Sequence, residues 1–427
     1  MLKYQAVIFD LDGTLTDSKA GIFNCARYAL EKMGREIPPE RTLQKFLGPP
    51  LADSYMRYCG MTEADAALAT DYYRERYIPI GWLENDVYPR IRALLAHLKA
   101  QGAYLAVATG KPEHTSVDIL RHFDLLRYFD AVAGPRPEEL HADKAALITR
   151  VLPAGLSAVM VGDTDGDILA AHRCGIDSVA ALYGYGEDET VLAAKPDCAV
   201  RDTAALCTLL CPDMPAPKGY FVTLEGVDGC GKSTQAAALA RMLTQFGYRV
   251  HRTREPGGCP IAEEIRRIVL AKEDGGMCAE TEALLFAAAR AQHVRQVILP
   301  AVAAGKVVLC DRFVDSSIVY QGGARGLSRE WIKEINLPAM REGAPDATLY
   351  LRMPHGEALR RRLAATDPDR IEQMGDAFQA RTEEGYELLM RENPERYLAV
   401  DAAKAPEQVT QEAFSLLFSR MQQGGVL

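Results

Sequence analysis

Two separate groups of residues in this sequence have the types and spacing for phosphate chemistry. The first is Asp10-Leu11-Asp12-Gly13-Thr14, directly after the apolar run Gln5–Phe9. Two carboxylates just past a buried strand are costly unless their charges have partners. A spacing of two aims both side chains the same way. Together they could hold a divalent cation, or one could attack as a nucleophile while the other handles a proton. Taken alone, a solvated turn explains these residues equally well. The second group is Tyr220–Thr234, a buried run followed by Gly226, Gly231, Lys232 and Ser233 in G-x-x-x-x-G-K-[ST] spacing. Such a loop wraps a polyphosphate with its backbone N–H groups. Gly226, Val227, Asp228, Gly229, Cys230, Gly231, Lys232, Ser233 and Thr234 are therefore the expected ATP-binding residues. Lys232 reaches the outer phosphates, and the Ser233 hydroxyl ligates Mg²⁺.

The elements around the first group decide between its two readings. After Asp17 the periodicity is helical, with a break at Gly48-Pro49-Pro50. A helix is predicted over Ile91–Gln101, a strand over Tyr104–Ala108 with Thr109 at its end, a helix over Glu113–His122, and a helix over Asp143–Val151 holding Lys144. A further strand, Ala158–Val161, leads into Gly162-Asp163-Thr164-Asp165-Gly166-Asp167. Strands alternating with helices imply a parallel sheet, and in such sheets chemistry gathers beyond the carboxyl ends of the strands. Asp10, Asp12, Thr109 and Asp163 all fall at such ends, and Asp167 lies one helical turn after Asp163.

Around the second group, a helix from Gly231 offers its N-terminus to phosphates. A strand over Tyr248–Arg252 leads to Thr253-Arg254-Glu255-Pro256-Gly257-Gly258. Arg254 is either a clamp for an acceptor phosphate or a surface arginine on a turn. The strand Val307–Cys310 delivers Asp311-Arg312, with Asp311 placed for the Mg²⁺ water shell. Strands over Ala347–Leu351 and Tyr397–Val400 complete the pattern. The predicted class is thus α/β with two domains, each built on a parallel sheet. The domains are residues 1–210 and 219–427, joined by a short, proline-bearing linker at 211–218.

Composition limits what these sites act on. The chain has 427 residues and a net charge of −9, and residues 1–213 hold 22 Lys and Arg against 30 Asp and Glu. Neither half is basic, so small molecules rather than nucleic acid are the expected partners. No apolar run is long enough to span a bilayer. Ten scattered cysteines without a C-x-x-C pair suit a reducing cytoplasm.

The order D-x-D-G-T, a strand-end Thr109, Lys144 and G-D-T-x-x-x-D resembles the haloacid-dehalogenase-like (HAD) phosphatases over residues 1–210. The helical stretch at about 16–84 resembles that superfamily's cap. Lys45–Leu51, Glu84–Pro89 and Leu182–Gly186 look like its phosphoglycolate phosphatase and 5′-nucleotidase branch. The resemblance implies a Rossmann-like core and an Asp10 nucleophile forming an aspartyl-phosphate, with Asp12 as acid/base. It implies phosphate binding by Thr109 and Lys144, and Mg²⁺ at Asp10, Asp12, Asp163 and Asp167. A non-catalytic, effector-binding module is the alternative. Residues 218–427 resemble bacterial thymidylate kinases through the phosphate loop, T-R-E-P-G-G, Leu285-Phe286-Ala287-Ala288-Ala289-Arg290, Asp311-Arg312, Tyr320-Gln321-Gly322-Gly323-Ala324-Arg325-Gly326 and Asp369-Arg370-Ile371-Glu372. This implies a P-loop nucleoside monophosphate kinase fold, a homodimer by analogy, and dTMP bound by Asp228, Arg254, Pro256, Phe286, Arg290, Arg312, Tyr320 and Gln321. Lys232, Arg312 and Arg370 would be catalytic, and Mg²⁺ would sit at Ser233 and Asp311. One departure stands out. Some members carry an arginine inside the phosphate loop where this chain has Gly229, and arginines expected between Leu363 and Thr366 are absent. Either Arg361 or Arg362 then substitutes, or phosphoryl transfer is slower.

Overall fold

The computed structural model describes residues 3–137, 139, 142–271, 276–363 and 376–426. The chain forms two compact units, the first Met1–Pro215 with Gln245–Gly247 and the second Ala216–Thr244 with Tyr248–Leu427.

In the first unit, β1 (Ala6–Phe9) leads through Asp10–Leu15 to β2 (Thr16–Asp17). Four helices follow, α1 (Lys19–Lys32), α2 (Glu40–Leu43), α3 (Leu51–Cys59) and α4 (Glu63–Tyr77), and the chain returns through β3 (Asp86–Val87). β2 and β3 pair antiparallel, Thr16 opposite Val87, so the helical segment is inserted on a two-stranded stem. It has its own core of Phe23, Phe46, Tyr55 and Tyr73. Then come α5 (Ile91–Ala100), β4 (Tyr104–Ala108), α6 (Glu113–His122), β5 (Ala131–Ala133), α7 (Lys144–Val151), β6 (Ala158–Gly162), α8 (Asp165–Arg173), β7 (Asp177–Ala181), α9 (Asp188–Ala193), β8 (Cys198–Val200) and α10 (Thr203–Leu210). The sheet order is β5-β4-β1-β6-β7-β8, and all its pairings are parallel. Helices cover both faces of such a sheet, which is why β1 and β6 read as unbroken apolar runs. Every residue of both strands is buried.

In the second unit, β9 (Tyr220–Glu225), also wholly buried, is followed by the phosphate loop and α11 (Lys232–Gln245). The chain continues through β10 (Val250–Arg254), α12 (Pro260–Val269), α13 (Ala279–His293), α14 (Leu299–Ala303), β11 (Val307–Asp311), α15 (Val314–Ser317), α16 (Arg329–Gly343), β12 (Ala347–Arg352), α17 (His355–Leu363), α18 (Asp376–Glu392), β13 (Tyr397–Asp401) and α19 (Pro406–Gln423). The parallel sheet has the order β10-β11-β9-β12-β13. Strand β10 starts two residues later than Tyr248–Arg252 suggested. Gly247 takes φ +87°, and the Tyr248 N–H closes back on the Leu243 carbonyl at 3.0 Å. Tyr248 therefore finishes the preceding helix in a glycine C-terminal turn.

Candidate active sites

In the first unit, strand order brings together residues that are far apart in sequence. β1 lies between β4 and β6, so Asp10, Thr109 and Asp163 end three neighbouring strands. Lys144, at the start of α7, donates from Nζ to Asp10 Oδ1 at 2.7 Å and pairs with Asp167 Oδ1 at 2.7 Å. Thr164 and Asp167 cap α8 reciprocally, which holds the Asp167 carboxylate toward the strand ends. Asp163 accepts from the Tyr185 backbone N–H at 2.7 Å and from Thr14 Oγ1 at 3.3 Å. Thr109 is buried beside them. Gly13 permits the close approach. It takes φ +76°, and a Cβ there would lie 2.2 Å from Asp163 Oδ2.

Oxygens of Asp10, Asp163 and Asp167 all lie within 4.8 Å of one another. Burial pushes the pKa of Asp10 up to about 6, despite the Lys144 ammonium, and that of Asp163 up to about 8, with Asp10 adding repulsion. Three ionised carboxylates beside one ammonium leave two negative charges. Hard oxygen donors with that charge suit a divalent cation of the Mg²⁺ type, so the residues present fit the ion. Asp12, expected among the ligands, is not in this cluster. Its Oδ2 faces Lys111 Nζ at 2.9 Å. Lys111 went unassigned in the sequence, yet it follows Thr109 at the same spacing that separates Asp12 from Asp10. β1 and β4 pair in parallel register, Phe9 beside Val107, which carries both pairs to the same edge. Burial pulls the Lys111 ammonium down, but Asp12 and Tyr77 outweigh it and its pKa stands above the usual lysine value.

In the second unit, one cavity of about 470 Å³ is lined by all eight residues expected at dTMP, Asp228, Arg254, Pro256, Phe286, Arg290, Arg312, Tyr320 and Gln321. Gly229, Gly231, Lys232, Ser233, Thr234 and Asp311 line the same cavity, whereas Gly226, Val227 and Cys230 do not. Lys232 Nζ donates to the Gly226 and Val227 carbonyls at 2.9 Å. The Ser233 hydroxyl donates to Asp311 Oδ2 at 2.6 Å. These are two hard oxygens, side by side at the loop, that fit Mg²⁺ carried with a nucleotide. Arg312, in the left-handed region at φ 71°, pairs with Asp228. Tyr320 donates to the other Asp228 oxygen at 2.9 Å. Burial pushes the Asp228 carboxyl up, but Arg312 and Lys232 outweigh it and hold it below its usual value.

Arg290 is 1% exposed. Its Nε donates to Glu255 Oε2 at 2.7 Å, Nη1 to Ser317 Oγ and Asn336 Oδ1, and Nη2 to the Phe313 carbonyl at 3.0 Å. Four of its five N–H donors are thus committed, and one remains for a ligand. His293 Nδ1 meets the second Glu255 oxygen at 3.0 Å. Glu255, Ser317, Asn336 and His293 carried no functional signal in the sequence, although Glu255 stands inside the motif that supplies Arg254 and Pro256. Arg254 is exposed, on Glu263 at 3.1 Å.

Both candidate substitutes for a loop arginine, Arg361 and Arg362, line the cavity, and Arg361 also bonds Glu357 and the Ala402 and Ala403 carbonyls. α17 packs directly on the phosphate loop. A Cβ on Gly229 would fall 2.1 Å from the Ala358 carbonyl oxygen and 3.1 Å from Arg362 Cβ. Arg370 lies outside the described residues.

Fold and site together define two enzymes in one chain, a P-loop phosphotransferase and a hydrolase with an inserted helical cap. The family model for thymidylate kinase matches residues 224–413, and that for haloacid dehalogenase-like hydrolase matches residues 7–181. The thymidylate kinase of Geobacter sulfurreducens is 43% identical over 209 residues, which is 48% of this chain and 98% of that protein. That of Halalkalibacterium halodurans is 44% identical over 206 residues, again 48% and 98%. A crystal structure of a Clostridium difficile protein named as a phosphatase aligns at 36% identity with a TM-score of 0.46, covering 48% of this chain and 98% of that one. The chain belongs to the thymidylate kinase family through its C-terminal half and to the haloacid dehalogenase-like hydrolases through its N-terminal half. No helix among the described residues is long and apolar enough to cross a membrane.

Proposed function

We infer that the chain is a bifunctional enzyme of nucleotide metabolism. Residues 219–427 transfer the γ-phosphoryl group of ATP to dTMP, and residues 1–210 hydrolyse a phosphomonoester through an aspartyl-phosphate. The observation that carries the kinase reading is the shared cavity, in which phosphate-loop residues and all eight expected acceptor residues face one space. An oxygen of the dTMP phosphate attacks the γ-phosphorus, the bond to the β–γ bridging oxygen breaks, and dTDP and ADP result. The acceptor is already ionised, so no base is needed. Catalysis is positioning and charge neutralisation, with Lys232 on the donor phosphates and Arg254 and Arg312 on the acceptor. The single free Arg290 N–H donor reads a base carbonyl. Mg²⁺ held by Ser233 and Asp311 would neutralise phosphate charge.

In the hydrolase, an Asp10 oxygen attacks the phosphorus, and the ester oxygen leaves with a proton from Asp12. Water then attacks the acyl phosphate, Asp12 takes its proton, and Asp10 and inorganic phosphate are released. Lys144 and Thr109 bind the phosphoryl oxygens, and Asp10, Asp163 and Asp167 would hold a Mg²⁺ ion, which would screen their charge. If both halves acted best on dTMP they would run a futile cycle, so the hydrolase is expected to prefer another ester. The test is the full-length protein assayed in both directions. ADP release should need dTMP and be at least about 100-fold slower in kcat/KM with dCMP, whose amino group opposes the Arg290 donor. Without ATP, phosphate release should vanish in Asp10→Asn. Equal use of dCMP would refute the first assignment, and an Asp10→Asn protein that still hydrolyses esters would refute the second. Wild-type protein that hydrolyses nothing, with kinase regulation altered in Asp10→Asn, would establish the effector-module alternative.

A further inference from the structure

Glu282, on α13, is a carboxylate that no step above uses, and it is only 1% exposed. A buried carboxylate is costly unless it is paired and hydrogen-bonded. Arg325 supplies the pairing, with Nη2 donating to Glu282 Oε2 at 2.8 Å and Nε to Oε1 at 3.4 Å. Glu282 Oε1 also accepts from Gln321 Nε2 at 3.0 Å. Gln321 is buried and lines the nucleotide cavity, whereas Glu282 and Arg325 are not among its lining residues. A primary amide can turn either its NH₂ or its carbonyl oxygen to a ligand, and its neighbours decide which. An ionised carboxylate only accepts. The NH₂ end of Gln321 therefore faces Glu282, and its carbonyl oxygen is the end left for the cavity. The framework around the base is compact. Glu282, Phe286 and Arg290 stand four residues apart along α13 and so share one face of that helix. Gln321 comes from the π-helical turn Ile318–Ala324, and Arg325 follows directly, its N–H on the Tyr320 carbonyl at 2.8 Å.

We propose that Glu282, held by Arg325, is a positioning residue that fixes the polarity of the Gln321 amide, so that the site offers the base an acceptor from Gln321 as well as the donor from Arg290. That pair matches a base whose ring N–H adjoins a carbonyl. It opposes a base whose ring nitrogen accepts beside an exocyclic amine, as in cytosine. Left to itself the amide could turn over and satisfy either base. The buried carboxylate removes that freedom without touching the substrate. This rests on the kinase reading and deepens it, by assigning part of its base selectivity to residues outside the cavity.

The experiment measures kcat/KM for dTMP and for dCMP with the full-length protein in saturating ATP and Mg²⁺. In Glu282→Gln the carbonyl oxygen of the introduced amide stays on Arg325, whose fork can only donate. Its NH₂ then faces Gln321, which must turn over. The dTMP-to-dCMP ratio should fall about 10–100-fold, the order set by a buried polar group that loses its partner, with the rate on dCMP rising as that on dTMP drops. Glu282→Asp, which still only accepts, should keep most of the ratio. In a Gln321→Leu background, adding Glu282→Gln should leave the ratio unchanged, because the two residues act as one unit. A purely structural Glu282 would instead lower both rates together and act independently of Gln321. Should Glu282→Gln fail to melt cooperatively, the same fall in ratio is required of Arg325→Met. A large wild-type ratio that survives these changes, or a loss shared equally by both substrates, would overturn the proposal and leave the kinase reading standing. A wild-type ratio near one would refute the kinase assignment, and the proposal would fall with it.

Discussion

Replacing Gly229 by alanine is expected to cripple the kinase while sparing the hydrolase, and the size of the effect can be worked from the geometry. Gly229 takes φ +87°, and a Cβ there would sit 2.1 Å from the Ala358 carbonyl oxygen and 3.1 Å from Arg362 Cβ. Cβ atoms essentially never approach within 3.0 Å. The obstacle is helix backbone, so α17 must retreat from the loop by roughly 1 Å, a distance whose misplacement of reacting groups is worth on the order of 10² in rate. The left-handed backbone adds about 1–2 kcal/mol for any residue with a Cβ, or roughly 2–8 °C in the melting temperature of a unit this size. The assay is ADP release under saturating ATP and dTMP, with p-nitrophenyl phosphate hydrolysis by the same protein as the internal control. The expected result is a kinase kcat/KM lower by 30- to 300-fold, on the order set by that displacement, and hydrolysis within about twofold. Gly229→Arg should lose activity as well, because the same helix occupies its path. A kinase that tolerates alanine within threefold, or gains rate from arginine, would refute the view that α17 is seated on the loop during catalysis.

Three further outcomes follow from the two sites. Glu255→Ala strips a buried guanidinium of its ion partner. That change typically costs about 3–5 kcal/mol, so the kinase unit should melt roughly 6–20 °C lower in calorimetry, and KM for dTMP should rise as Arg290 loses its orientation. The raised pKa values of Asp10 and Asp163 mean that, without metal, the hydrolase unit loses stability as pH climbs from about 4 through 6 and 8. Mg²⁺ competes with those protons, so its stabilisation of the melting transition should be larger at pH 8 than at pH 6, and an equal shift at both would contradict the assignment. Asn336→Leu removes an Arg290 acceptor at its buried Nη1, and leaving a buried donor unsatisfied costs about 1–3 kcal/mol. Its discrimination between dTMP and dCMP should fall in parallel, measurable as the ratio of the two kcat/KM values.

Much of this was legible in the sequence because it is local. The phosphate loop is eight consecutive residues whose path is dictated by their own glycines and by the strand and helix on either side. Asp10, Thr109, Asp163 and Asp311 announce themselves as polar residues closing apolar runs, since a parallel sheet puts all such ends on one edge. The composition of each half, its βα alternation and its sequence of motifs set the class of each domain without any coordinates. Side-chain partnership is different, because it depends on which strands are neighbours and where helices land on them. The order β5-β4-β1-β6 places Lys144 on Asp10 across 134 positions and turns Asp12 out of the carboxylate cluster toward Lys111. The tertiary structure also commits four of the five Arg290 donors to protein groups. It seats the backbone of α17 on Gly229, a contact made by atoms that every residue type possesses and that no side-chain pattern could have signalled.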